Sequence, residues 1–243
     1  MSALQAQLRH EVTTTMRNGE QLLLTLIIPV LLLVFFSVVD VLPTGTPDPI
    51  DFLAPGILGL AVMSSAMVSL GIGTGFERSY SVLKRLGATP LGRGRLIAAK
   101  IIAVTIVELI QFSVLVPVAF ALGWSPSGPN WTAALVAVII GTMAFAGIGL
   151  ALGGRLRGET NLAVQNGLYL VLLLLGGMLI PFAKLPGPIS AVAKVLPSGA
   201  LADVLRETLT NGGVRPGTSW AILAGWAIVM PALAIRLFRW DQS

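Results

Sequence analysis

Between Leu22 and Val39 the chain carries 18 consecutive residues of which only Thr25 and Ser37 have polar side chains. A helix crossing the hydrocarbon core of a membrane needs about 20 mostly apolar residues, because backbone N–H and C=O groups there have no water to bond. Five more such stretches follow, over about Phe52–Phe76, Leu96–Leu122, Thr132–Gly154, Leu162–Pro181 and Ser219–Phe238. The first lacks the short apolar region and small-residue cleavage site of a signal peptide, so it counts as a span, taken over 22–42. The sequence predicts an all-α integral membrane protein with six transmembrane helices in one domain over 1–243.

Charge agrees. Only 11% of residues are charged, against about a quarter in soluble domains. The net charge of +5 sits beside apolar spans and forms no continuous polar face, which argues against a nucleic-acid partner. With no Cys, disulfides, thiolate metal sites and cysteine nucleophiles are excluded, and His10 is the only histidine. No metal site is expected.

Six spans put both termini on one side. That side holds Arg9, Arg17, Arg78, Lys84, Arg85, Arg93, Arg95, Lys100, Arg155, Arg157, Arg236 and Arg239; the other holds Lys184, Lys194, Arg206 and Arg215. Twelve against four places the termini in the cytoplasm, by the bias of Lys and Arg toward cytoplasmic loops.

Half of the twelve lie in one connection, "ERSYSVLKRLGATPLGRGRLIAAK", residues 77–100. Phe76, Tyr80, Leu83 and Leu86 recur at roughly helical spacing, with Arg78, Ser81, Lys84 and Arg85 on the other faces. This predicts a short amphipathic helix, ended by Gly87 and Pro90. Two readings fit such a helix: a docking element for a partner, or an interfacial helix on anionic lipid. In the N-terminal 1–20, Leu4, Leu8, Val12 and Met16 form one stripe. That predicts an interface helix along the membrane surface, either a lipid anchor or a partner contact.

The wording of 77–100 resembles the signature of the ABC-2 type transporter permeases, most closely the small permeases of daunorubicin-type multidrug exporters. The matching residues are Glu77-Arg78, Lys84-Arg85-Leu86, Thr89-Pro90-Leu91 and Lys100. The resemblance implies that Glu77–Leu86, within a loop over 77–95, is a coupling helix seated on a separate ATPase. Glu77, Arg78, Tyr80, Leu83, Lys84, Arg85 and Leu86 would be its contact residues. Thr89, Pro90, Arg93, Arg95 and Lys100 would lead into the third span. It further implies a multi-pass subunit of a bacterial plasma (inner) membrane exporter, paired with a second copy or a sister permease. ATP and Mg would be bound by the partner subunit, and this chain would hold no cofactor. Consistent with that division of labour, no G-x-x-x-x-G-K-[ST] phosphate-binding loop occurs. The longest non-spanning piece is about 36 residues, too short for a nucleotide domain. The chain is therefore expected to be a transport subunit with no catalytic residues.

Residues 182–217 contain nine Gly and Pro. They read as two short helices, Pro186–Leu196 and Ser198–Leu209, with Leu201, Val204, Leu205 and Leu209 on one face. The family resemblance implies re-entrant helices here between spans five and six. A pathway lining and a surface cap both fit, and Asp203, Arg206 and Glu207 read as a solvated face.

Within the spans Glu108 is the anomaly, with Thr105 and Gln111 a turn away on the same side. An acid at mid-membrane costs about 2.5–3.5 kcal/mol on insertion scales, so it should face the bundle interior or water. Glu108 and Gln111 are candidates for a cargo or intramembrane polar contact. Gln165 and Asn166 read as helix-start residues. The Gly71/Gly75 and Gly149/Gly153 spacings permit close packing, although 27 glycines produce such pairs by chance. A rival function is ion-coupled secondary transport through Glu108; a membrane-embedded enzyme would need a clustered polar constellation that is absent. Drug, lipid and glycan cargoes fit the layout equally.

Overall fold

The computed structural model describes residues 3–39, 48–210 and 217–241. Within them all regular structure is helical. In chain order the helices are α1 (Ala3–Arg17), α2 (Gly19–Val38), α3 (Pro49–Val62), α4 (Leu70–Ser79), α5 (Val82–Gly87) and α6 (Arg93–Ala121), then α7 (Trp131–Gly153), α8 (Gly158–Leu175), α9 (Gly187–Val195), α10 (Pro197–Thr210) and α11 (Thr218–Leu237). A π-helical segment, Met63–Ser69, joins α3 to α4, so that Pro49–Ser79 is one continuous helix.

Four helices are long and apolar enough to cross a membrane: Pro49–Ser79, Arg93–Ala121, Trp131–Gly153 and Thr218–Leu237. The first expected span appears as the shorter apolar stretch Thr25–Val38; its predicted end at 40–42, like Arg215, lies outside the described residues. The stretch expected as the fifth span falls on α8, which is not among those four and whose first half carries Glu159, Asn161, Gln165 and Asn166. It stops at Leu175, six residues before the expected end, because Gly176 and Gly177 follow and Gly177 takes φ +65°. That left-handed backbone admits glycine without strain. Between α9 and α10 the chain bends by 82°. The residue before a proline is pushed out of helical geometry, and Leu196 before Pro197 is extended.

The bundle is built around α7. Membrane helices gain nothing from hiding oil from oil, so close packing depends on small residues. α7 supplies them: Gly147 lies against Met230 and Pro231 of α11, Gly149 against Met67, and Gly153 against Gly71. The two G-x-x-x-G pairs noted in the sequence therefore face each other. A Cβ on Gly149 would stand 2.5 Å from the Met67 carbonyl oxygen and 3.1 Å from that of Ala66. Gly149→Ala should lower stability by about 1–3 kcal/mol, the usual cost of overpacking. Gly73→Ala, where a Cβ meets nothing within 4 Å, is the matched control; thermal unfolding in detergent compares them.

Polar side chains tie the helices where packing alone would not. Ser65 of the π segment donates to Gln111 Oε1 (2.9 Å), and Gln111 Nε2 donates to the Thr25 carbonyl (2.8 Å), linking α2, the π segment and α6. Asn161 Nδ2 reaches the Gly71 carbonyl (2.9 Å) and Gln165 Nε2 the Gly149 carbonyl (3.0 Å). Both side chains are buried, so Gln165 is a cross-link between helices, which corrects its reading as a helix-start residue. Among the described residues Asn166 bonds within its own helix, to Leu162 O.

At the end holding the α9–α10 bend, α10 buries Leu201, Val204, Leu205 and Leu209 as the pattern predicts. Arg206 departs from its expected solvated face. Its guanidinium lies 3.7 Å over the Phe52 ring and donates to the Met178 carbonyl (3.0 Å). A cation on an aromatic face is favoured most where water is thin, and here it clamps α10 to α3. Asn130 N–H donates to Thr208 O (2.8 Å) and Ser219 Oγ to Asp203 (3.3 Å), closing this end.

Candidate functional site at the charged end of the bundle

Lys100, two turns into α6, is 1% exposed. A buried ammonium is tolerable only when paired and hydrogen-bonded. Its Nζ donates to Glu11 Oε2 of α1 (3.1 Å) and Glu77 Oε1 of α4 (2.9 Å). Gln7 steadies Glu11 with a 2.7 Å bond to Oε1. One cation thus binds two carboxylates from different helices. It also turns α1 the unexpected way: the face packed on the bundle is Gln7–Glu11, while Leu4, Leu8 and Val12 are half-buried and Met16 is exposed. Beside the triad lies a crevice of about 120 Å³, lined by Thr14, Thr25, Ser65 and Ser69 together with Leu70, Ala103, Val104 and Val107.

Arg78, next in sequence, points about a quarter-turn away on the helix. Its Nη1 donates to Gly154 O (2.7 Å) and its Nη2 to Arg155 O (2.9 Å) and Leu156 O (2.6 Å). These carbonyls lie just past the C-terminus of α7, where a cation is favoured by the helix dipole and by orphaned acceptors.

The connection itself then follows. The helix expected over Glu77–Leu86 is divided: residues 77–79 finish α4, the chain breaks at Tyr80–Ser81, and α5 covers Val82–Gly87. Ser81 sits at φ 59°, a left-handed conformation costing an L-residue roughly 1–2 kcal/mol. Beyond the break Leu83 is fully buried in a cluster with Leu91, Leu96, Ile97, Leu150 and Phe238, and Leu86 is partly buried against it. Tyr80, expected on the apolar face, is instead 70% exposed, its ring stacked on Phe76 at 6.1 Å. Lys84, Arg85, Arg93 and Arg95 are exposed, as are Thr89 and Pro90. Thr89 Oγ1 closes α5 on Leu86 O (2.6 Å), and Arg95 reaches Pro90 O (3.4 Å). The Trp240 ring seats on Gly87, where a Cβ would come within 2.9 Å, and packs on Phe238 at 5.4 Å.

The residues singled out in the sequence thus separate into two groups. Arg78 and Lys100 are buried in the bundle, with the half-buried Glu77 turned in to Lys100; Tyr80, Lys84, Arg85, Arg93 and Arg95 form an outward basic rim held on it. Glu11 does not stand out as a site residue in the sequence, although it lies off the apolar stripe one turn from Gln7, the position an inward polar pair takes. Nothing in sequence spacing tells which cation it meets.

At mid-span Glu108 is fully buried and accepts a hydrogen bond from Thr142 of α7. Thr105 bonds its own helix at Ile101 O (2.9 Å) and Gln111 turns to α2 and the π segment. The three do not converge on one point.

A family model described as ABC-2 family transporter protein matches residues 43–236. The chain belongs to the ABC-2 transporter family. A Bacillus subtilis (strain 168) relative named "Putative transport permease YvfS" is 27% identical over 247 residues, covering 100% of both chains. With several membrane-capable helices, this ABC-2 permease is a multi-pass transport protein of the plasma membrane. The family pairs such permeases with an ABC ATPase.

Proposed function

We propose that this permease is the membrane subunit of an ATP-driven exporter for a hydrophobic or amphipathic cargo, powered by a separate ATPase docked on the basic rim at 80–95. The permease crosses the membrane six times with both termini cytoplasmic and works as a dimer with a second copy or sister permease. α9 and α10 form the re-entrant pair of the exit side. ATP and Mg belong to the partner.

The observation that carries this reading is the join between rim and bundle. Tyr80, Lys84 and Arg85 face outward, while the adjoining Glu77 and Arg78 are bolted to α1, α6 and the end of α7. A push on α5 is therefore delivered to α4, α6 and α7 together. Supporting it, α1, the 77–100 connection, residues 154–157 and the C-terminal tail share one end, through Glu11–Lys100, Arg78–Gly154, Arg239 N–Gly154 O (3.0 Å) and Trp240–Gly87. An even number of crossings produces that grouping.

The test is co-expression with the cognate ABC ATPase. Lys84→Glu with Arg85→Glu should abolish ATPase copurification and export, since facing like charges costs several kcal/mol, and leave thermal stability unchanged because neither side chain is buried. Retained copurification and export would refute docking at this rim. Glu108→Gln, which keeps an acceptor for Thr142, should preserve ATP-driven export. Its loss, or proton-driven transport without the ATPase, would favour the ion-coupled carrier instead.

A further inference from the structure

Away from the charged triad, α7, α8, α11 and the α9–α10 bend enclose an apolar groove of about 350 Å³. Ile148, Ala151 and Leu152 of α7 form its floor, with walls from Leu172 of α8 and Met230 and Leu233 of α11. α8 and α11 both pack on α7 but scarcely meet each other, so the groove opens sideways between them. At one end it is closed by Pro197 and by Trp226, whose indole N–H donates to the Val195 carbonyl (3.0 Å). At the other end stands Arg155, exposed, with no side-chain hydrogen bond or ion pair among the described residues.

Three features define what fits. The wall is apolar throughout, so its occupant there is hydrocarbon. From Trp226 to Leu237 α11 rises about 16 Å, which matches one leaflet, half of a core about 30 Å thick. The only charged residue of the lining is a guanidinium at the interfacial end, and guanidinium forks match phosphate oxygens. A second copy of the chain fits worse. A two-fold interface presents the same surface from both sides, and the residues lining the groove include no acid to meet Arg155.

We infer that the groove is a binding site for one acyl chain of an anionic phospholipid, its phosphate held by Arg155. The inference requires only that the chain is a membrane protein and does not depend on the exporter reading.

Trp226 is a built-in reporter. The full chain is reconstituted into vesicles of phosphatidylcholine and phosphatidylglycerol, with bromine on the acyl chains of one lipid or the other. Quenching of Trp226 is isolated by subtracting the Trp226→Phe signal. Half-quenching should occur at a roughly fivefold lower mole fraction of brominated phosphatidylglycerol than of phosphatidylcholine, the factor for one cation beside an anionic lipid. Arg155→Gln should erase that preference; it keeps the main-chain carbonyl that Arg78 uses, so folding is spared. Lipid retained through detergent purification, read by mass spectrometry, should shift from phosphatidylglycerol-enriched to unselective in the same variant. Equal quenching by both lipids would mean ordinary bulk lipid and overturn the site. Quenching by neither would mean that another copy covers the groove, and a preference surviving Arg155→Gln would place the headgroup elsewhere. Either result also overturns it.

Discussion

Lys100→Met should destabilise the protein by about 3–5 kcal/mol, the cost of removing one partner from a buried ion pair. Methionine fills the stem's volume, so the loss is electrostatic: the carboxylates of Glu11 and Glu77 are left facing each other without a cation. Three helices should loosen together, because Lys100 of α6 joins α1 and α4 through Glu11 and Glu77. The expected readout is a large drop in the thermal midpoint in detergent and early proteolysis within 1–18. A triple variant, Glu11→Gln, Glu77→Gln and Lys100→Met, separates charge from packing. With no buried charge left to strand, it should regain most of the lost stability, since polar pairs replaced as a unit cost far less than orphaned ones. If Lys100→Met unfolds no more easily than the wild type, the triad does not hold this end of the bundle.

Arg78→Ala should be nearly as damaging. A hydrogen bond to a charged group contributes about 1.5–3 kcal/mol, and this guanidinium makes three, to the carbonyls of Gly154, Arg155 and Leu156. Of these three carbonyls only that of Gly154 also accepts a backbone N–H among the described residues, from Arg239, so the turn between α7 and α8 loses much of its support. Arg78→Lys should rescue little, because a single ammonium does not span three acceptors as a planar fork does. Proteolysis at Arg155 and Arg157 and the thermal midpoint are the measurements. ATPase copurification should fall only in proportion to the folded fraction. An Arg78→Ala protein of normal stability that fails to bind its ATPase would instead place Arg78 on the docking surface, as the family signature alone suggests.

The contrast between those two outcomes shows where sequence reasoning reached its limit. Hydrophobic run length determined the helical membrane class, because lipid forces every backbone group to bond within its own segment. The α9–α10 bend was legible at Pro197, and its buried stripe at Leu201, Val204, Leu205 and Leu209, because proline geometry and helical period are local properties. The basic connection was legible too, together with the family it signals.

Which side of that connection each charge faces was not. Glu77 and Arg78 read as members of an exposed amphipathic helix until the break at Tyr80–Ser81 assigned them to the bundle. Only the tertiary structure supplied Lys100 as the partner of Glu11, Gly149 as the seat for Met67, Phe52 as the platform for Arg206, and the groove between α8 and α11. Run length, period and turn chemistry act within a few residues of chain. An ion pair or a close approach between helices depends on rotation about each helix axis, which is settled only when the helices pack.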